Sequence, residues 1–227
     1  MGFENDSPKR YLKIKAGHIV MNIKEEHAEN YQDIMQHATA VRKFQNDNGV
    51  DVIDICFRGI TGVMKNISLS DFVYKDATTT NYILTLTDDG VDYILNFQED
   101  SGVALGLINA LASIQDVSEE ITIKAYSSDG KNRISVYAGN ERLNWKADKD
   151  ELPPLTQLTY TNPETGKPAV VLDPKTKKPV LDNTKRLAFV KDLANDIQQK
   201  LTGKKIIHYK ANGVSDAEPE AVEEEKF

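Results

Sequence analysis

Residues 82–114 read YILTLTDDGVDYILNFQEDSGVALGLINALASI, and this stretch decides the predicted fold. Apolar and polar residues alternate over 82–87 and again over 91–97, which is the period of a half-buried β-strand. Asp89-Gly90 lies between the two runs, and an Asp-Gly pair in that position is a strong signal for a hairpin. The apolar spacing then becomes helical over 101–114. A helix this apolar is predicted to be largely buried.

Strands on both sides of this stretch complete the predicted architecture. A strand with two glycines is predicted over 59–67, where glycine marks a bulge or a sharp bend. Two more strands are predicted over 121–126 and 133–137, and a last short one over 141–145. The order of three strands, a helix and two strands is that of a five-stranded OB-fold barrel with an inserted helix. A sandwich of short strands is the alternative, but the single apolar helix favours the barrel. The predicted fold class is therefore mainly β.

The rest of the chain divides by composition. Residues 1–9 are polar and are predicted to be a flexible N-terminus, followed by the OB-fold domain over 10–155. Within that domain, 24–38 fits either a short helix or a polar loop. Residues 156–210 are predicted to add a β-arm and an amphipathic helix that packs on the barrel. Residues 211–227 are acid-rich and lack apolar periodicity, so they are predicted to be a disordered tail.

Composition excludes several classes of protein. Hydrophobic residues make up 40% and the mean hydropathy is −0.48, which is typical of a globular protein with a core. No run approaches the roughly 18 apolar residues of a membrane span, so no membrane association is expected. The start of the chain lacks the apolar region of a secretory signal. The single cysteine, Cys56, allows no internal disulfide, and a cytoplasmic location is expected.

The charge is distributed unevenly. The net charge is −7, which by itself argues against a nucleic-acid partner. Residues 145–210 nevertheless hold 13 Lys/Arg and 8 Asp/Glu and carry +5, whereas 211–227 carry −5. Such sign changes require a local explanation and not one for the whole protein.

No motif in the sequence points to an enzyme. The Walker loop, the G-x-S-x-G elbow and the Rossmann fingerprint are all missing, and the histidines lack metal-ligand spacing. The four histidines are His18, His27, His37 and His208. Asp88, Asp89 and Asp92 form an acidic cluster that could hold Mg²⁺, but aspartate is also favoured in hairpin turns. We therefore expect no catalysis, no metal and no cofactor.

Binding of single-stranded DNA requires a groove with cations and a few aromatic stacking platforms. Tyr74 and Lys75 follow the glycine-containing strand, in the connection that rims the groove of an OB fold. Tyr126, Tyr137 and Trp145 lie near basic residues but could equally belong to the core. The candidate DNA-binding residues are Arg58, Lys65, Tyr74, Lys75, Lys124, Tyr126, Arg133, Tyr137, Trp145 and Lys146.

The acidic tail ends on an aromatic residue. Its partner-binding candidates are Asp216, Glu218, Glu220, Glu223, Glu224, Glu225 and Phe227. A peptide of this charge can imitate DNA and compete for the protein's own cationic groove. The terminal aromatic ring and carboxylate could insert into a pocket on a partner protein. A purely solvating tail is the alternative, although such a tail has no need to end on phenylalanine.

These features together resemble the single-stranded DNA-binding proteins of tailed bacteriophages. The resemblance covers roughly residues 10–155. It is carried by the 60–67 strand, the Leu84-x-Leu86-x-Asp88 hairpin with Tyr93-x-Leu95, the helix from Ser101, the 121–126 strand, Val136-Tyr137, Trp145 and Leu152-Pro153-Pro154. The acidic tail ending in phenylalanine is similar to those of phage and bacterial single-strand binding proteins. The sequence departs from the pattern in having few Lys/Arg over 60–126 and in the added segment 156–210.

The resemblance implies a non-catalytic, sequence-independent single-stranded DNA-binding protein that acts in phage DNA replication or recombination, in the host cytoplasm. It also implies that the tail competes with DNA and recruits polymerase, helicase or primase; a homodimer is a further possibility. The first alternative is a protein-interaction module or acidic DNA mimic that does not itself bind DNA. The second is a metal-dependent nuclease that uses the aspartate cluster.

Overall fold

The computed structural model describes residues 8–74 and 77–211. The strands are β1 Lys9–Lys15, β2 His18–Lys24, β3 Ala40–Gln45, β4 Asp51–Phe57, β5 Gly59–Tyr74, β6 Ala77–Asp88, β7 Val91–Gln98, β8 Glu120–Ser128, β9 Lys131–Ala138, β10 Glu141–Arg142, β11 Thr156–Gln157, β12 Thr159–Thr161, β13 Pro168–Val170, β14 Leu181–Asp182 and β15 His208–Tyr209. The helices are α1 Gln32–Gln36, α2 Gly102–Leu111 and α3 Thr184–Thr202, with a 3-10 helix, Glu25–Tyr31, before α1. The predicted mainly β class is confirmed.

One large sheet dominates the described chain. It has eleven strands in the order β10-β9-β8-β5-β6-β7-β1-β2-β4-β3, and β15 pairs in parallel with β5. The five strands predicted for the barrel, β5 to β9, are consecutive neighbours within it. The pairing of β1 with β7 is parallel, whereas the other neighbours along the path are antiparallel. Among the described residues, the hydrogen-bonded path does not close into a ring.

The β5–β6–β7 meander supplies the centre of the core. Alternate residues of β6 and β7 point inward, and Tyr82 stacks on Phe97 with the ring centroids 5.7 Å apart. The hairpin turn falls where Asp-Gly predicted it, with Gly90 at φ +74°. The bulge predicted for β5 occurs at Lys65 and not at a glycine. The register with β6 shifts there, between Met64 and Asn66.

Two helices cover the core. Ser101 begins α2 by accepting a hydrogen bond from the backbone N–H of Ala104 at 3.1 Å, and most of α2 is buried as its apolar spacing predicts. The side chain of Gln198 on α3 accepts a hydrogen bond from the backbone N–H of Ile67 at 2.8 Å, which fixes α3 to β5. Gly203 ends α3 at φ +73°. No helix within 8–74 or 77–211 is long and apolar enough to cross a membrane.

We call the segment between the large sheet and α3, residues 156–182, the β-arm. It contains two separate two-stranded sheets, β11 with β14 and β12 with β13. The side chains of Asn162 and Asp173 each accept hydrogen bonds from the backbone N–H groups two and three residues further on. The two similar sequences therefore make the same turn, for the reason that favours Asn and Asp in turns.

Some predicted boundaries need correction. The strand predicted over 141–145 stops at Arg142. Residues 24–38, which fit either a short helix or a polar loop, contain the 3-10 helix and α1. The predicted flexible N-terminus reached residue 9, but β1 already begins at Lys9 through its pairing with β7. The remainder of that N-terminus, 1–7, lies outside the described residues, as does the tail after Ala211.

The tip of the β1–β2 hairpin lies against the β8–β9 hairpin. The backbone N–H of Gly17 donates a hydrogen bond to the Oδ1 atom of Asn132 at 2.8 Å. A Cβ atom at position 17 would lie 2.5 Å from the backbone nitrogen of Ser127, so only glycine allows this approach. Because β1–β2 and β8–β9 lie far apart in the strand order, this contact shows that the sheet curls and brings its two parts together.

We predict that Gly17→Ala destabilises the fold by more than its left-handed backbone alone requires. Gly130→Ala is the matched control, because Gly130 has a similar φ of +69° but nothing lies within 4 Å of its added Cβ. The control should lower the free energy of unfolding by about 1 kcal/mol, and Gly17→Ala by about 2 kcal/mol more because of the clash. Urea denaturation measures both. Equal losses would contradict the close packing of the two hairpins.

Candidate nucleic-acid interface

Four of the predicted DNA-binding residues lie together on the outward face of β8 and β9. Tyr126 is paired with Arg133 across the two strands, and the Lys124 ammonium lies 4.6 Å from the ring centroid of Tyr137. Ile123, Ala125, Ile134 and Val136, which alternate with them, point into the core, as strand alternation requires. We call Lys124, Tyr126, Arg133 and Tyr137 the β8–β9 patch.

The two tyrosines of the β8–β9 patch differ in what they can bind. Tyr137 is half-buried, and one side of its ring is already occupied by the Lys124 ammonium. Tyr126 is 42% exposed and sits opposite the exposed Arg133. An exposed ring beside a guanidinium can stack on a nucleic-acid base while the cation contacts a neighbouring phosphate.

Two further predicted residues lie on or near the outward face. The exposed residue Arg58 precedes β5, and its backbone carbonyl accepts a hydrogen bond from the N–H of Ala125 at 2.8 Å, so it borders the β8–β9 patch. Lys65 is exposed at the bulge of β5, and its ammonium forms an ion pair with Asp92 at 3.1 Å.

Trp145 and Lys146 do not join the β8–β9 patch. A Cβ at Gly106 of α2 would lie 3.8 Å from both Ile134 and Trp145, which places the indole at the core-facing side of β9. The ammonium of Lys146 is 3.4 Å from a carboxylate oxygen of Asp196 on α3. Strand alternation could not predict this, because Trp145 follows the last residue of β10.

The remaining predicted positions lie outside what the structure describes. They are the side chain of Tyr74, all of Lys75, and the tail residues Asp216, Glu218, Glu220, Glu223, Glu224, Glu225 and Phe227.

A groove of about 770 Å³ crosses the outward face of the sheet from β5 to β2. Tyr11 and Lys13 of β1 line it, together with Ile83 and Asn96 of the neighbouring strands. The sequence prediction named neither Tyr11 nor Lys13 as a site residue. The signal was present in the alternation of β1, which places Lys9, Tyr11, Lys13 and Lys15 on one face of the strand.

Two carboxylates on this outward face are buried and neutralised by lysine. Burial would raise the pKa of Asp54, but hydrogen bonds from Lys15 and Asn22 outweigh it and lower that pKa. The pKa of Asp92 is lowered mainly by a hydrogen bond from the Thr87 hydroxyl at 2.7 Å, and also by Lys65. These aspartates therefore do not present free negative charge to a nucleic acid.

The aspartate cluster of the sequence is not assembled into a metal site. Asp88 and Asp89 are exposed at the β6–β7 turn, whereas Asp92 is buried and bound to Thr87 and Lys65. Across residues 8–74 and 77–211, no group of three or more His, Cys, Asp or Glu side chains is arranged to hold a metal ion.

Comparison of the chain with models of protein families, with curated proteins and with solved structures finds no match.

We predict that Asp92→Asn lowers the free energy of unfolding by about 2 kcal/mol at pH 7, because it removes a buried charged acceptor. A lowered pKa in the folded state stabilises the protein fully above the ordinary aspartate pKa of about 3.9, and this contribution disappears as the pH falls through the lowered value. The difference between the wild-type protein and the variant should therefore shrink below about pH 4.

The measurement is urea denaturation between pH 7 and pH 3, with Asp88→Asn as the exposed control. A difference that stays constant over this range would show that the charge on Asp92 does not contribute.

Proposed function

We propose that this protein binds single-stranded DNA without sequence preference and without catalysing a reaction. The observation that carries the proposal is the β8–β9 patch, where two cations and an exposed tyrosine share one solvent-facing surface. Lys124 and Arg133 would bind phosphates, and Tyr126 would stack on a base. Sequence-independent binding of a single strand needs cations for the phosphates and aromatic rings for the bases. It does not need base-specific hydrogen bonds.

The strand order supports an OB-fold interpretation. β5, β6 and β7 form a meander, α2 follows it, and β8 returns to the free side of β5. An OB fold is a partly open barrel with this element order, and its strand faces bind oligonucleotides. In this interpretation β1 to β4 extend the barrel, and β1 lies parallel to β7.

We further propose a role in phage DNA replication or recombination, on the strength of the resemblance to phage single-stranded DNA-binding proteins. The acidic tail, 211–227, would compete with DNA for the cationic surface and recruit polymerase, helicase or primase. Its net charge of −5 is opposite to the charge of the β8–β9 patch, which supports competition between tail and DNA.

A protein-interaction module is the second candidate function. The observation that favours it is a set of exposed large apolar side chains on and beside the β-arm. They are Leu155, Leu158, Tyr160, Leu172 and Leu181. Exposed apolar surface of this kind is typical of contacts with another protein.

We predict that Lys124→Ala with Arg133→Ala weakens binding to oligo-dT about tenfold. Each lost phosphate contact should also reduce the slope of log K against log salt by about 0.7, so the double variant should lose about 1.4. Fluorescence anisotropy of labelled oligo-dT at several salt concentrations measures both quantities. Lys146→Ala with Lys149→Ala is the charge-matched control and should behave as the wild-type protein.

Two results would contradict the proposal. The first is no binding of oligo-dT by the wild-type chain, even after removal of the tail, which would favour the interaction module. The second is an equal loss of affinity in the double variant and its control, which would show that the β8–β9 patch is not the binding surface.

Removal of residues 212–227 should strengthen binding to oligo-dT at low salt, because it removes a competing anion. The gain should shrink as salt screens the interaction between the tail and the protein. A full chain in which the six acidic tail residues are replaced by their amides is the control for length, and it should show the same gain. Unchanged affinity in both variants would contradict competition by the tail.

A further inference from the structure

We infer that a single DNA strand continues from the β8–β9 patch into the groove over β6, β7 and β1. In this arrangement Tyr11 stacks on a base, while Lys9 and Lys13 bind the phosphates on either side of it. The inference rests on the proposed function and extends it to a surface that the sequence prediction did not include.

Tyr11 is placed as a stacking platform. Its side chain is 67% exposed, the highest value among the large hydrophobic residues that the structure describes. Its backbone is paired with Ile94 on β7, so the ring projects from the middle of the sheet face and not from a mobile loop. An exposed aromatic ring on a rigid strand is suited to stack on a base of any sequence.

Lys9 and Lys13 flank Tyr11 on the same face of β1. Alternate residues of a strand lie about 6.6 Å apart, which is comparable with the separation of consecutive phosphates along an extended single strand. Within the described chain, neither lysine forms an ion pair, whereas Lys15 is held by Asp54 at 2.9 Å. Lys9 and Lys13 are therefore the lysines of β1 that no carboxylate holds in contact. Their charges also lower the pKa of the nearby buried aspartates, Lys9 that of Asp92 and Lys13 that of Asp54.

The floor of the groove suits a nucleic-acid base. Ile83 and Ile94 provide apolar contact, and the amide side chains of Asn96 and Gln98 lie beside them. Neither amide forms a side-chain hydrogen bond to another described residue. Both can therefore accept a hydrogen bond from a base edge or donate one to it. Because Asp54 and Asp92 are tied to lysines, the floor does not repel a phosphate chain through a free carboxylate.

The outward face is continuous from the β8–β9 patch to the groove. Lys124 of β8 is paired with Gly59 of β5, and Val63, further along the same face of β5, is paired with Thr87 of β6. Ile83, which lines the groove, lies on the same face of β6 as Thr87. A strand that leaves Lys124 therefore reaches the groove across β5 and β6.

The test compares oligo-dT with an abasic strand of the same length, using fluorescence anisotropy and the full chain. Tyr11→Ala should weaken binding of oligo-dT about tenfold but leave binding of the abasic strand within about twofold. Tyr11→Phe should behave as the wild-type protein, because it retains the ring. Lys13→Ala should weaken binding of both strands, since both carry phosphates.

Tyr160→Ala removes a tyrosine that is 49% exposed on the β-arm and serves as the matched control. The inference is overturned if Tyr11→Ala binds oligo-dT as tightly as the wild-type chain, or if it weakens binding of oligo-dT and of the abasic strand equally. It is also overturned if Tyr160→Ala loses as much affinity for oligo-dT as Tyr11→Ala does. The double variant Lys124→Ala with Arg133→Ala separates the two proposals. If it binds oligo-dT weakly while Tyr11→Ala binds it normally, only the inference about the groove is refuted. If the wild-type chain binds neither strand, the proposed function fails as well.

Discussion

The hydrogen bond between the Gly17 backbone and the Asn132 side chain is the contact on which the shape of the outward face depends. It joins segments 115 residues apart, and the close approach of the Ser127 backbone leaves no room for a side chain at position 17. Through this contact the tip of the β1–β2 hairpin meets the β8–β9 hairpin, and the curled sheet encloses the core.

The net charge of −7 is compatible with a surface that binds an anion. The local electrostatic potential depends more on where the charged residues lie than on the net charge of the whole chain. Two aspartates of the outward face, Asp54 and Asp92, are neutralised by Lys15 and Lys65. Asp88 lies at the β6–β7 turn and six acidic residues lie in the C-terminal tail, whereas Glu120 of β8 is exposed on the same face as Lys124. Within the described chain, Lys9, Lys13, Lys124 and Arg133 lie on the outward face and form no ion pair.

Local signals in the sequence predicted the strands β5 to β9, because each of these signals has a local physical cause. Asp-Gly at the β6–β7 turn and Ser101 before α2 act within a few residues, so both features appear where the sequence places them. The parallel pairing of β1 with β7 depends on contacts about 80 residues apart, and no local pattern reports it. The sequence named Tyr126 and Arg133 as separate candidates, and only the register of their hairpin shows that they face each other. It did not name Tyr11, and it left Trp145 open between the core and the site.

We propose that one continuous surface, from the β8–β9 patch to β1, holds the DNA strand. Titration of the isotopically labelled full chain with oligo-dT, followed by backbone amide NMR shifts, distinguishes this surface from the others. Shifts are expected at Lys124, Tyr126 and Arg133 and also at Tyr11 and Lys13, with the amides of α3 unchanged. Shifts confined to the β-arm or α3, or no shifts at saturating DNA, would contradict it.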